Sequence, residues 1–256
     1  MRRLVLVSVV AMMAAMANAE IVNFWDFETI SAGTVPAEVG PNNLVIQGAT
    51  TALSTDAKWG NTSLNSPTGE FLYGSTGLQN TLTKGTFATW VKSTNNTLSW
   101  RGVLSTNIRG NVSNNMRIDL GASTSQLYVW DIPSVSGTGT NTIVPTVNLA
   151  DGQWHFLVLT YDATAGVCNF YADGVLNGTA GYGTTNAKII SNFQISTKQM
   201  LSGQATGLLV DDTAVFSTAL TSQEVAYYNT HPIPEPATMS LLLLAGGLVG
   251  LARRKR

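Results

Sequence analysis

The chain has 256 residues, 44% of them hydrophobic and only 11% charged, with 24 glycines and a single cysteine. Six of its 14 Lys and Arg (Arg2, Arg3, Arg253, Arg254, Lys255, Arg256) sit at the two ends, so the 8 that remain face 15 Asp and Glu and the chain between its basic ends carries about −7. An acidic body without a basic stripe excludes nucleic acid and anionic membrane surfaces as partners, since both need Lys and Arg to displace counterions, and one cysteine excludes an intrachain disulfide framework.

In chain order, Met1-Arg2-Arg3, an apolar run from Leu4 to Met16 and then Ala17-Asn18-Ala19 have the layout of a secretory signal peptide. The small side chains of Ala17 and Ala19 suit a signal peptidase, which places the mature start near Glu20. The apolar run is shorter than the roughly 20 residues of a spanning helix.

From Glu20 to about Thr230 there is no linker, charge run or repeat, only short β-like segments between Gly, Asn, Ser and Thr clusters, which reads as one domain. Strands are expected at 21–27, 87–92, 102–105, 116–120, 127–130, 154–161, 167–172 and 207–216. Trp154, Phe156 and Val158 share one face of their strand and Leu157, Leu159 and Tyr161 the other, so that strand is covered on both sides. Asp173-Gly174 predicts a two-residue hairpin, because a type I′ turn needs positive φ. Cys168 falls inside a strand and reads as a small buried apolar residue. Thr221-Ser222-Gln223-Glu224 fits a capping box opening one short helix, and His231 follows it in a linker.

The chain ends with Pro234-Glu235-Pro236, an apolar stretch and four basic residues. Ala237 through Ala252 would make about 24 Å of helix, marginal against a hydrocarbon core of about 30 Å, and the basic cluster would stay cytoplasmic. A temporary anchor and an ordinary tail anchor share these ingredients. In its order of box, apolar helix and arginine cluster, the tail resembles the PEP-CTERM sorting signal of Gram-negative bacteria that make exopolysaccharide. That resemblance implies transient residence in the inner membrane, cutting near the box by an exosortase-type enzyme, and a final place in the cell envelope or secreted matrix.

A second resemblance covers the body. Trp154 to Asp162 followed by Asn169-Phe170-Tyr171-Ala172-Asp173-Gly174 resembles the central hairpin of laminin-G-like jelly rolls. Phe87-Ala88-Thr89-Trp90-Val91 resembles the strand before it, Asn23 to Glu28 the opening strand, and Gly207 to Phe216 with Ala219-Leu220-Thr221 the closing strand and helix. The expectation is all-β: a two-sheet antiparallel jelly-roll sandwich of the concanavalin A-like, laminin-G-like kind at residues 20–231, between a signal peptide at 1–19 and a sorting tail at 232–256, whose apolar segments are helical.

Catalysis is not expected. Glycoside hydrolysis needs two carboxylates flanking the scissile bond; the Glu-x-Asp-x-x-Glu run of catalytic relatives is missing, and Asp211 and Asp212, adjacent on a strand, would point to opposite faces. His155 reads as structural. The resemblance implies structural Ca²⁺ near the opening and closing strands, with Asp26, Asp211 and Asp212 as candidate ligands; the alternative is that these aspartates accept hydrogen bonds from neighbouring loop amides. Trp59, Trp100 and Trp130 lie in or near loops and are candidate sugar platforms, whereas Trp25, Trp90 and Trp154 sit in apolar strands. The expected function is a non-catalytic, polysaccharide-binding surface or matrix protein; the alternatives are an adhesion protein that binds envelope proteins and, behind it, a glycoside hydrolase.

Overall fold

The computed structural model describes residues 20–67, 69–75, 84–93, 101–105, 116–120, 127–133, 140–183, 192–196 and 207–233. The signal segment with Ala17 and Ala19, Trp100, the Pro234-Glu235-Pro236 box and the tail beyond it lie outside these residues, as does the side chain of Trp130.

Among the described residues, two antiparallel sheets of eight strands each pack face to face. The first runs β14 (Val175–Gly181), β13 (Val167–Ala172), β12 (Trp154–Asp162), β7 (Lys84–Lys92), β16 (Leu208–Phe216), β5 (Ser63–Ser66) and β4 (Ala52–Ser54), with β1 (Ile21–Trp25) also pairing β16. The second runs β11 (Thr140–Ile143), β10 (Leu127–Pro133), β9 (Arg117–Leu120), β8 (Arg101–Ser105), β15 (Asn192–Ile195), β6 (Phe71–Ser75), β3 (Leu44–Gln47) and β2 (Thr34–Val35). Crossovers such as β7 to β16 and β8 to β15 make this the expected jelly roll.

Strand periodicity explains two apolar layers. On β12, Leu157, Leu159 and Tyr161 face the second sheet and join Phe87, Val91, Ile118, Val129 and Phe170 in the core between the sheets. Phe156 and Val158 point the other way, into a second buried layer with Trp90, Phe24 and Phe216. That outer layer is roofed by α1 (Ser222–Tyr228), which buries Val225 and Tyr228 against it. Thr221 caps α1 as expected: its hydroxyl accepts from the Glu224 amide and the Glu224 carboxylate accepts from the Thr221 amide. The β13–β14 turn is the expected type I′ pair, with φ of 52° at Asp173 and 80° at Gly174. Cys168 is buried in the inter-sheet core, where burial pushes its thiol pKa upward and keeps the sulfur an inert apolar filler.

Candidate functional site

The middle of β16 carries the candidate calcium ligands. Asp211 lies opposite Trp90 while Ala214 lies opposite Ala88, so three steps on β16 match two on β7 and one residue is extra. This is a β-bulge. Asp212 occupies it with φ of 37°, at the point where the neighbour of β16 changes from β5 to β1. The bulge undoes the alternation expected from the sequence. Asp211 Oδ2 accepts from the amides of Lys58 (2.7 Å) and Trp59 (3.0 Å), and Asp212 Oδ2 accepts from that of Ile233 (3.4 Å). Trp59 and Ile233 both cover the outer layer of the first sheet, so the two carboxyls serve the same side rather than opposite faces.

Asp211 is fully buried and Asp212 is 4% exposed. Burial pushes Asp211 up to about 7, against the opposing pull of three amides, and pushes Asp212 up to about 8, with the Asp211 charge adding to the rise. Asp26 Oδ1 accepts from the Glu28 amide at 3.1 Å, and Glu28 in turn accepts from the amides of Asn61 (2.7 Å) and Thr62 (3.2 Å). Burial raises Glu28, but these amides and the Asn61 and Thr62 side chains outweigh it and its pKa falls. Among the described residues no group of three or more His, Cys, Asp or Glu side chains is arranged to hold a metal ion. A calcium ion needs six to eight converging hard oxygens, and the candidate ligands Asp26, Asp211 and Asp212 each accept at least one backbone amide. Both oxygens of Asp211 turn instead onto amides, Oδ1 taking that of Asp212 at 2.9 Å. These amide bonds tie Lys58 and Trp59 to Asp211, Asn61 and Thr62 to Glu28, and Ile233 to Asp212. A carboxyl of raised pKa suits a general acid, but this pair is buried beneath backbone and out of substrate's reach.

Trp59 is also a packing residue. Its ring meets Trp90 edge-on at 6.5 Å, and Lys58 Nζ sits 4.1 Å from the Trp90 ring. Trp154, expected in the core, is half-buried instead and donates its indole N–H to Asp56 Oδ1 at 3.2 Å, while Lys92 pairs with Asp56 Oδ2 at 2.7 Å. Trp25 and Trp90 are core residues, as expected.

The second sheet presents a different outer face. Its inward positions, Leu72, Leu104, Ile118, Val129 and Ile195, belong to the core between the sheets. The residues between them lie on the opposite face, and strand register aligns Arg117, Ser105, Gln194, Tyr73 and Val45 into one row across β9, β8, β15, β6 and β3, with Trp130 of β10 at the register position opposite Arg117. Asp119, two positions from Arg117, shares that face, with its carboxylate 3.2 Å from Arg117 Nε; Tyr128 lies opposite Asp119. Ser105, Gln194 and Asp119 are fully buried, while Arg117, Tyr73 and Tyr128 keep solvent exposure. Polar groups beside partly exposed rings are among the ingredients of a sugar site. Of the three candidate tryptophans, Trp130 takes a register position in this row and Trp59 lies on the other sheet, so the two are not brought together. Arg117, Asp119, Tyr73, Tyr128 and Gln194 are new as candidates. Arg117-Ile118-Asp119-Leu120 and Leu127-Tyr128-Val129-Trp130 alternate with period two, which is the signal that a polar face was present.

His155 is structural, as expected. Nδ1 lies 2.9 Å from Asp173 Oδ2 and Nε2 lies 3.0 Å from Asp151 Oδ1. Both contacts are hydrogen bonds only when both nitrogens carry protons. The bond to Asp173, opposed by burial and helped by Asp151, raises the histidine pKa. The pair locks the β13–β14 hairpin to the start of β12, where Asp173 Oδ1 also accepts from the Phe156 amide at 3.0 Å.

A two-sheet jelly roll with an amide-pinned closing strand and a polar, aromatic outer face defines a module of the lectin and glucanase type. The chain belongs to the concanavalin A-like lectin/glucanases superfamily, whose family model matches residues 65–226, and residues 232–256 match the PEP-CTERM protein-sorting motif. No curated protein matches the sequence. Among solved structures, the fold is similar to the receptor-binding domain of botulinum neurotoxin C/D mosaic serotype, with a TM-score of 0.62, 9% identity, and 82% of this chain against 50% of that one. The binding domain of Paraclostridial Mosquitocidal Protein 1 matches with a TM-score of 0.60, 12% identity, and 82% against 51%. Domain 4 of AbnA, a GH43 extracellular arabinanase from Geobacillus stearothermophilus solved with arabinotriose, matches with a TM-score of 0.60, 16% identity, and 83% against 99%. The chain spans about half the length of the toxin domains, and at these identities the likeness shows the fold alone. No helix among the described residues is long and apolar enough to cross a membrane.

Proposed function

We propose that this protein is an exported, non-catalytic polysaccharide-binding module of a Gram-negative cell envelope or matrix, routed there by its C-terminal sorting motif and an exosortase-type enzyme. The observation that carries the reading is the cross-strand row on the outer face of the second sheet. Tyr73 and Tyr128 offer partly exposed rings for stacking on sugar faces, the Arg117 guanidinium suits hydroxyls or uronate carboxylates, and buried Gln194, Ser105 and Asp119 lie in the same face. The arabinotriose complex of a protein with this fold supports the ligand class, and the sorting motif supports delivery outside the cell.

The test is retention of the purified domain on a panel of polysaccharides that includes the host's own, with calcium and with EDTA. Binding that falls at least 10-fold in Tyr73→Ala and Tyr128→Ala, each still folded, and does not change with EDTA is the expected result. No binding to any member of the panel overturns it. One observation favours adhesion to another protein: exposed Val144, Val175 and Leu176 lie on neighbouring segments joined by the Thr146 amide donating to Asn177 Oδ1 at 2.7 Å. Self-association that added sugars do not disturb would support that reading.

A further inference from the structure

Three of the four large apolar side chains exposed among the described residues lie on one flank of the sandwich: Val175 is 65% exposed, and Val144 and Leu176 are each 51% exposed. This flank is built from two sheet edges, since β14 is the last strand of the first sheet and β11 the last of the second. The edges are tied together. Asn141 Nδ2 donates to the Gly181 carbonyl at 2.7 Å, and the Thr146 amide donates to Asn177 Oδ1 at 2.7 Å. Gly178, which has no Cβ, lets Ile143 of β11 lie directly against β14. The hairpin that carries Val175 is held in place by Asp173, which accepts from the Phe156 amide and meets His155. Native sheet edges are commonly guarded by charged side chains, yet neither 140–150 nor 174–183 contains one. The two acids that border the flank, Asp151 and Asp173, both turn onto His155.

We infer that two copies of this chain associate through this flank, with Val144, Val175 and Leu176 of one copy meeting the same residues of the other about a two-fold axis. Charge selects the partner. Bodies of about −7 repel each other in most orientations, and the uncharged flank is where two of them approach with least repulsion. A basic partner would be drawn to the acidic surfaces elsewhere. A patch that meets itself closes as a pair. The bulge in β14 also opposes longer assemblies: Leu176 pairs with Tyr171 and Gly178 with Phe170, so Asn177 is extra and the edge is broken just after the apolar pair. Three side chains make a small contact beside the about 800 Å² per partner of a standard interface, so the pair is weak and forms where copies are crowded together. The polar row on the outer face of the second sheet takes no part in it, and the association stands or falls apart from the glycan reading.

The experiment is sedimentation equilibrium of the exported protein purified from its host, at loading concentrations up to millimolar. Wild type is compared with Val175→Lys and with Asn65→Lys, a control at an exposed position on β5. A reversible monomer–dimer equilibrium is expected for wild type and for Asn65→Lys, with dissociation at least about 10-fold easier in Val175→Lys, the size expected of a central interface residue. Monomers at every concentration, association that Val175→Lys leaves unchanged, or growth past the dimer overturns the inference. A covalent readout is independent of affinity. The native Cys168 is buried, so under mild oxidation Val175→Cys is expected to give a disulfide-linked dimer and Asn65→Cys is not. Equal cross-linking at the two positions would mean random collision and would also overturn it.

Discussion

Replacing Asp212 with asparagine is expected to stabilise the domain at alkaline pH and to leave it nearly unchanged at pH 5. Asp211 and Asp212 are buried side by side with pKa values raised to about 7 and about 8, burial being the main cause and mutual repulsion the next for Asp212. Unfolded, both titrate near 3.9. A carboxyl with a raised folded pKa contributes stability that is fully present below the unfolded pKa and is lost as pH rises through the folded one, here between about pH 4 and pH 8. Even one proton held between the pair gives a slope of about 1.4 kcal/mol per pH unit, so the native domain should lose about 2 to 3 kcal/mol between pH 5 and pH 7. The substituted carboxamide would carry no charge, its oxygen would still accept from the Ile233 amide, and asparagine tolerates the positive φ of the bulge. Urea titrations of wild type and Asp212→Asn at pH 5, 6, 7 and 8, with EDTA present, measure the difference directly. His155 also loses stability as pH rises, but it is common to both proteins and cancels. A gain of about 1 to 3 kcal/mol at pH 8 that vanishes at pH 5 is expected. A difference that is independent of pH, or a wild type that grows more stable from pH 5 to pH 8, would refute the reasoning.

Four further outcomes follow from the same contacts. His155→Gln should cost about 1 to 2 kcal/mol at pH 6 and less at pH 9, because the doubly protonated ring that serves both Asp151 and Asp173 is lost as pH passes its raised pKa; melting curves at the two values check this. Glu70 is held at about 2, its burial outweighed by the side chains and amides of Thr50 and Thr51, so Glu70→Ala should speed hydrogen exchange at Ala49 and Thr50, whose amides donate to it at 3.0 and 2.9 Å. Thr221→Ala removes the hydroxyl of the capping box and should lower stability by about 1 kcal/mol in urea titration. Gly178→Ala would drive a Cβ into Ile143 Cγ2, where β14 meets β11, and should lower the melting temperature although Gly178 is not itself in the core.

The fold was legible because its strongest strands carry apolar residues on both faces. Trp154 to Tyr161 and Phe87 to Val91 announce a sheet covered on both sides, and Asp173-Gly174 fixes the hairpin that follows. The short strands at Thr34–Val35, Ala52–Ser54 and Asn192–Ile195 were not legible, since two to four residues of mixed polarity show no period of their own and are held by their neighbours. The acidic pair was half legible. Its place on the closing strand was legible, but a bulge is one inserted residue with no marker in the sequence, and it changes which way both carboxyls reach. The packing of Trp59 was not legible, because the carboxylate that anchors its backbone lies 152 residues away. The polar row of the second sheet needs six strands in register, and no single segment displays it.

The glycan face is tested most directly by backbone amide NMR shifts of the isotope-labelled domain titrated with oligosaccharides prepared from the host's own polysaccharide. Binding on the second sheet predicts saturable shifts concentrated on β6, β8, β9 and β15, around Tyr73, Ser105, Arg117 and Gln194, with Lys58 to Asn61 unmoved. Shifts confined to the first sheet near Trp59 and Trp154, or none at all, would contradict it.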